Sequence, residues 1–184
     1  MIRELSKKIV EFVAEDKCTI QEVEEMKYVC TVILYEVIKM IGTILIFWLV
    51  GYFKEALIIL AVMYFTRPYI GGYHEETQIR CFIASVLFTA GEILLNKQCS
   101  ISFLGNCILL IICIFAIYNG APVINSKMPI TRPELIHKNK IKGIRNSVIL
   151  GLISIFLYKY TLMYSLITWT LIVEVLLMFS KRQD

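Results

Sequence analysis

After residue 28 the chain alternates long apolar runs with short polar breaks. Six such runs occupy roughly 29–50, 52–65, 81–95, 101–118, 144–158 and 161–179. Each has the composition of a helix that lies in lipid, although several fall short of the ~20 residues that cross a bilayer comfortably. The second and third are short and flank a polar segment, which suggests a shallow or re-entrant arrangement with irregular backbone lining a cavity. Ahead of them, residues 1–17 carry an apolar stripe of Ile2, Leu5, Ile9, Phe12 and Val13. Arg3, Glu4, Lys7, Lys8, Glu11 and Glu15 fall on the other face. This pattern predicts an amphipathic helix, either packed on its own protein or lying in the membrane interface. Thr19-Ile-Gln-Glu22 has the form of a capping box, so a second helix starts there and runs into the first span. Residues 119–139 form the one long loop, since Pro122, Pro129 and Pro133 oppose a helix across its middle.

The predicted fold is therefore all-α. It is a polytopic membrane protein of about six transmembrane helices with an N-terminal amphipathic helix. Residues 1–184 form a single membrane-embedded domain, and residues 1–28 make an amphipathic cytoplasmic or interfacial segment. Composition agrees: 58% of the 184 residues are hydrophobic, well above the share in soluble domains. No cleavable signal peptide is expected, because the first 28 residues are charged throughout and hold no apolar core.

Charge placement orients the helices. With six spans and both termini inside, fifteen basic residues fall on cytoplasmic pieces, and three (Lys54, Lys97, Lys159) fall outside. Lys39 lies within the first span, one helical turn from Glu36, with which it is placed to pair. Such a bias is the positive-inside pattern. Topology thus accounts for the basic residues, and a nucleic-acid partner is not expected. Glu92 and Glu174 are two further acids in apolar runs, each expected at a helix end near headgroups.

The six cysteines (Cys18, Cys30, Cys81, Cys99, Cys107, Cys113) form no Cys-x-x-Cys pair, so neither a disulfide framework nor a zinc site is expected. One of them stands out by its surroundings. The run Arg67-Pro-Tyr-Ile-Gly-Gly-Tyr-His74 breaks the apolar pattern, and Cys81 follows seven residues after His74. A thiol nucleophile beside an imidazole base is a recurrent catalytic pair. On one regular helix those residues would stand ~10 Å apart along the axis, too far to share a proton. For them to meet, Arg67–Glu75 must be a loop folding back, broken at Gly71-Gly72, with a new helix beginning near Glu76 or Thr77. Spacing alone leaves a second reading open, in which Cys81 fills apolar space and His74 is a polar loop side chain. A zinc-protease helix is excluded, because the second histidine that His74-Glu75 would need falls on Gln78. His137 reads as a solvated loop residue.

The run from Arg67 through Gly71-Gly72-Tyr-His74 to Cys81 resembles the accessory gene regulator protein B (AgrB) family. So does Ala121-Pro-Val-Ile-Asn-Ser-Lys-Met-Pro129 after a span. The resemblance implies a bacterial inner-membrane cysteine endopeptidase that matures a small quorum-sensing precursor peptide. It places the nucleophile on Cys81 and the histidine on His74. Arg67, Gly71 and Gly72 become the site-supporting or substrate-binding loop. It further implies no cofactor, a homodimer, and a substrate with an amphipathic leader and an acidic tail. That substrate would be cut and then closed to a thiolactone or lactone ring. The rival class is a non-enzymatic membrane transporter or assembly partner for the same peptide. A transporter would be expected to show repeated halves or a row of intramembrane charges, and neither stands out.

Overall fold

The computed structural model describes residues 2–13, 19–72, 77–123 and 133–179. Among these residues the protein is helical, with seven helices: α1 (Ile2–Val13), α2 (Ile20–Leu49), α3 (Phe53–Ile70), α4 (Gln78–Gln98), α5 (Phe103–Gly120), α6 (Pro133–Leu157) and α7 (Tyr164–Phe179). Each of the six apolar runs lies on one helix, α2 to α7. Three helices are long and apolar enough to cross a membrane: Glu22–Leu49 of α2, then α4 and α5. The chain is an all-α membrane protein.

The local signals work as their chemistry requires. Thr19 caps α2 by accepting from the Glu22 amide at 3.3 Å, while the Glu22 carboxylate accepts from the Thr19 amide at 2.8 Å. These bonds satisfy donors that the first turn would otherwise leave bare. The helix then continues without a break into the first span. Ser102 caps α5 in the same way through the Gly105 amide at 3.2 Å.

Three element boundaries differ from the expected ones. The two short apolar runs sit on longer helices: α3 has 18 residues and α4 has 21, about 27 and 32 Å of helix. Polar turns at their ends supply the missing length. Second, Arg67–Glu75 is not a loop from its start, since α3 continues through Arg67 and Pro68 to Ile70. Pro68 lacks only the amide that would reach the Tyr64 carbonyl, and the helix ends two residues later. One turn earlier, Asn146 Nδ2 on α6 donates to the Phe65 carbonyl at 2.7 Å, which holds the backbone beside the disrupted turn. Third, α6 begins at Pro133 and contains His137. A proline in the first helical position costs no hydrogen bond and is pre-set for helical φ. His137 is exposed there, on a helix rather than in a loop.

Helices α3 to α7 alternate in direction and form one bundle. At one end lie the start of α3, the end of α4, the start of α5, the end of α6 and the start of α7. Contacts there include Lys97 with Tyr52, Ser165 with Asn96, and the Tyr164 hydroxyl with the Ile101 carbonyl. The opposite end gathers the C-termini of α3, α5 and α7 with the N-terminus of α4. Three apolar clusters run between the ends: Phe47, Ala56, Ile59, Ile93 and Leu166; then Val62, Leu110, Cys113, Ile167 and Leu171; then Ile70, Ile117, Ala121 and Met178. On α6 a stripe of Gly143, Ser147, Gly151 and Ser154 is buried. Small residues let backbones approach closely where lipid gives no hydrophobic advantage to large ones. At Gly143 an added Cβ would meet Ile70 Cγ2 at 2.9 Å.

Buried polar groups join the same helices. Asn106 Nδ2 donates to Ser154 Oγ at 3.1 Å, and Thr168 donates to Asn106 Oδ1 at 2.6 Å. Ser154 Oγ donates in turn to the Tyr164 carbonyl at 3.0 Å. Glu92 and Glu174, expected at helix ends, are instead 1% and 0% exposed inside the bundle. Thr170 donates to Glu92 Oε2 at 2.7 Å, and Thr66 donates to Glu174 Oε2 at 2.6 Å. Hydroxyls from neighbouring helices make burial tolerable for groups that would otherwise stay in water.

α1 lies outside the bundle and packs on α2. Ser6 and Val10 are its buried residues, and the Ser6 and Thr31 hydroxyls share a hydrogen bond of 2.7 Å. The predicted apolar stripe does not face α2: Leu5, Ile9, Phe12 and Val13 remain exposed, Phe12 at 91%. Both sequence readings of this helix therefore find support on different faces, since it packs on its own protein and still presents an apolar surface.

The knot around Asn106 gives a stability prediction. Asn106→Ala removes the amide that donates to Ser154 and the oxygen that accepts from Thr168, leaving those hydroxyls only their own 3.1 Å contact and the Ser154 bond to the Tyr164 carbonyl, and should lower the unfolding free energy in detergent by about 1–3 kcal/mol. Equilibrium unfolding followed by circular dichroism measures it; an unchanged midpoint would contradict the assigned role of the knot.

Candidate active site

Thr77 ends the polar break and caps α4. Its hydroxyl accepts from the Arg80 amide at 3.3 Å, and its carbonyl accepts from the Cys81 amide at 3.0 Å. Cys81 is thus the fourth residue of α4, as the sequence predicts for a helix starting near Thr77. In that turn the helix dipole favours negative charge, modestly. The Cys81 side chain is half-buried, and the five described cysteines are free thiols.

Among the described residues, α2 sets a charge beside the thiol. Lys39 Nζ lies 3.8 Å from Cys81 Sγ, within hydrogen-bonding reach of sulfur. The same ammonium pairs with Glu36 Oε2 at 2.5 Å, and the two side chains are 18% and 42% exposed. The Glu36–Lys39 pair expected from the sequence is therefore present, and it points at the thiol. The helices meet closely here because Gly42, one turn beyond Lys39, has no side chain. A Cβ at Gly42 would meet Phe82 Cε2 at 2.9 Å.

The other half of the site is the end of α3. Gly71 terminates the helix with φ 72°, and Gly72 follows at φ 132°, both in backbone regions that L side chains rarely adopt. Gly71 forms an isolated parallel bridge with Val123, whose amide donates to the Ile70 carbonyl at 2.9 Å. A Cβ at Gly71 would stand 2.2 Å from the Val123 carbonyl oxygen. At Gly72 a Cβ would meet Arg67 Nη1 at 3.3 Å and the Leu177 carbonyl at 3.4 Å. Arg67 thus lies over the second glycine, and its charge acts on buried Glu174 of α7. The two polar segments that carry the family resemblance, after α3 and after α5, meet at Gly71 and Val123.

The model of the family described as "Accessory gene regulator B" matches residues 6–179. The chain belongs to the AgrB family. It is also similar to AgrB-like protein 1 of Clostridium perfringens strain 13, with 44% identity over 122 residues. That match spans 65% of this chain and 65% of the relative, just under two thirds of the relative's length. No solved structure matches the chain.

Within this AgrB-family chain, the structure gathers Arg67, Gly71 and Gly72 at one corner, and Cys81 with Lys39 at another. Both lie at the same end of the bundle. His74 lies outside the described residues, in the segment that Gly72 and Thr77 bound. Two participants escaped the sequence reading. Lys39 was visible as a cation in an apolar run, but nothing in the sequence said which helix it would face. Val123 carried no signal beyond its place after Ala121-Pro122.

Gly71 is the position most exposed to test. Gly71→Ala imposes a strained φ, at a cost on the order of 1–3 kcal/mol, and drives a methyl into the Val123 carbonyl. Its thermal midpoint in detergent should fall clearly below that of Gly91→Ala, where an added Cβ meets nothing within 4 Å. Equal midpoints would show that the bridge is dispensable.

Proposed function

We propose that this AgrB-family chain is a membrane cysteine endopeptidase that removes the C-terminal tail of a small autoinducer precursor and closes the remainder into a ring. The observation that carries this reading is the setting of Cys81. Its sulfur lies in the first turn of a capped helix, 3.8 Å from an ammonium, and the segment bearing His74 ends at that cap.

The chemistry follows from those groups. The Cys81 sulfur attacks a peptide carbonyl carbon and forms an S–C bond. The resulting oxyanion collapses, the C–N bond breaks, and the tail leaves as an amine. The thiol proton passes to His74 and from it to that amine. The shortened peptide remains as a thioester on Cys81. A cysteine thiol or serine hydroxyl within the peptide then attacks the thioester carbonyl, and its proton returns to the Cys81 sulfur as that group leaves. A cysteine gives a thiolactone, a serine a lactone. Water competes for the same thioester, so a site at the lipid boundary favours closure over hydrolysis.

The positive-inside pattern supports a multi-pass arrangement in the bacterial plasma membrane, with both termini and the Cys81 end of the bundle facing the cytoplasm. The exposed stripe of α1 suits the headgroup region on that side. A homodimer and a precursor with an amphipathic leader and acidic tail complete the proposal.

The test is co-expression of the full chain with a precursor peptide, read by gel and mass spectrometry. Cys81→Ala and His74→Ala should each leave the precursor intact, a loss of at least ~100-fold in product. Wild-type-like product from Cys81→Ala would reject the peptidase reading and leave a transporter or assembly partner.

A further inference from the structure

Lys39 has no role in the residues so far assigned to this site, yet it is the charged group the structure sets on the reacting sulfur. A lysine inside a mainly apolar span is costly to keep, and such a residue commonly serves a partner or a pathway. The partners here are explicit: Glu36 at 2.5 Å on its own helix, and Cys81 Sγ at 3.8 Å across the α2–α4 contact. Each helix carries a local hydroxyl bond one turn beyond its residue: Thr43 donates to the Lys39 carbonyl at 2.9 Å, and Ser85 donates to the Cys81 carbonyl at 2.9 Å. The open position at Gly42 lets the two helices close.

Resting on the peptidase reading, we propose that Lys39 is the electrostatic partner of the nucleophile. Its ammonium stabilises negative charge on the Cys81 sulfur and on the oxyanion formed when that sulfur attacks. Fixed positive charge placed where negative charge develops is among the largest contributions an active site makes. Among the described residues, the cations of the neighbouring α3 and α4 are directed elsewhere. Arg67 of α3 is set over Gly72 and acts on Glu174, and Glu174 of α7 accepts from Thr66. Arg80 precedes Cys81 on α4 and is exposed. Glu36 holds the ammonium in place and at the same time weakens its field at the sulfur.

The experiment compares alkylation of Cys81 by iodoacetate, an anion, and by iodoacetamide, its neutral counterpart. It uses the full-length protein in detergent, with peptide-resolved mass spectrometry and exposed Cys99 as the internal reference. In K39M the iodoacetate-to-iodoacetamide rate ratio at Cys81 should fall roughly 10-fold, in the range of electrostatic steering, with no change at Cys99. K39R should hold the ratio near wild type. E36Q, which removes the competing carboxylate, should raise it. Precursor processing by K39M should fall about 10- to 100-fold and recover in K39R. A Cys81 ratio unmoved in both K39M and E36Q overturns the assignment, as does K39M processing at the wild-type rate. Processing by Cys81→Ala would instead overturn the peptidase reading itself, so the two failures are distinct.

Discussion

Lipid offers a buried polar group no partner, and α7 carries most of the hydrogen bonds that pair such groups across the bundle. Thr168 ties α7 to Asn106 of α5. Thr170 ties it to Glu92 of α4, and Glu174 ties it to Thr66 of α3. Three helices are pinned to a fourth by bonds whose loss would leave a carboxylate or amide in a medium that offers no substitute. This constraint fixes the relative heights of α3, α4 and α5. It therefore fixes which residues share the end where Cys81, Gly71 and Val123 lie. The same helix runs past Gly72, where its Leu177 carbonyl lines the glycine corner.

The site differs from the interior in how its charges are treated. Inside the bundle, hydroxyl donors hold the acids. At the Cys81 end, an ammonium and a carboxylate form a pair that is only partly covered, beside a half-buried thiol. Partial exposure keeps such a pair from being a large source of stability, since exposed ion pairs contribute little. Its value lies in orientation: the pair commits a cation to one direction, toward α4.

Much of the fold was legible in the sequence because lipid demands long apolar runs and water-facing turns break them. The six runs each lie on a helix, and the Thr19–Glu22 box marked the start of α2. Boundaries were read less well where a helix carries polar residues past its apolar stretch. α3 runs on through Arg67 and Pro68, and α6 begins at Pro133, because a proline at either extremity of a helix sacrifices at most one hydrogen bond. Glu92 and Glu174 were misplaced for a related reason. Their cost in an apolar run is plain from sequence, but the threonines that offset it sit 78 and 108 residues away. In the site, Cys81 and the Gly71-Gly72 break stood out as local departures from the apolar pattern. Lys39 and Val123 belong to it only through packing between distant segments.

Gly42 sets a spacing rather than a shape. With hydrogen where others carry carbon, α2 settles against the Phe82 ring and brings its cation up to the sulfur one turn away. A graded series of larger groups at that one position would act as a wedge of adjustable thickness. It would part the two helices by tenths of an ångström at a time while leaving the Lys39 and Cys81 side chains chemically intact. The distance between the Lys39 ammonium and the Cys81 thiol is thereby a tunable variable in this protein, set by a third residue.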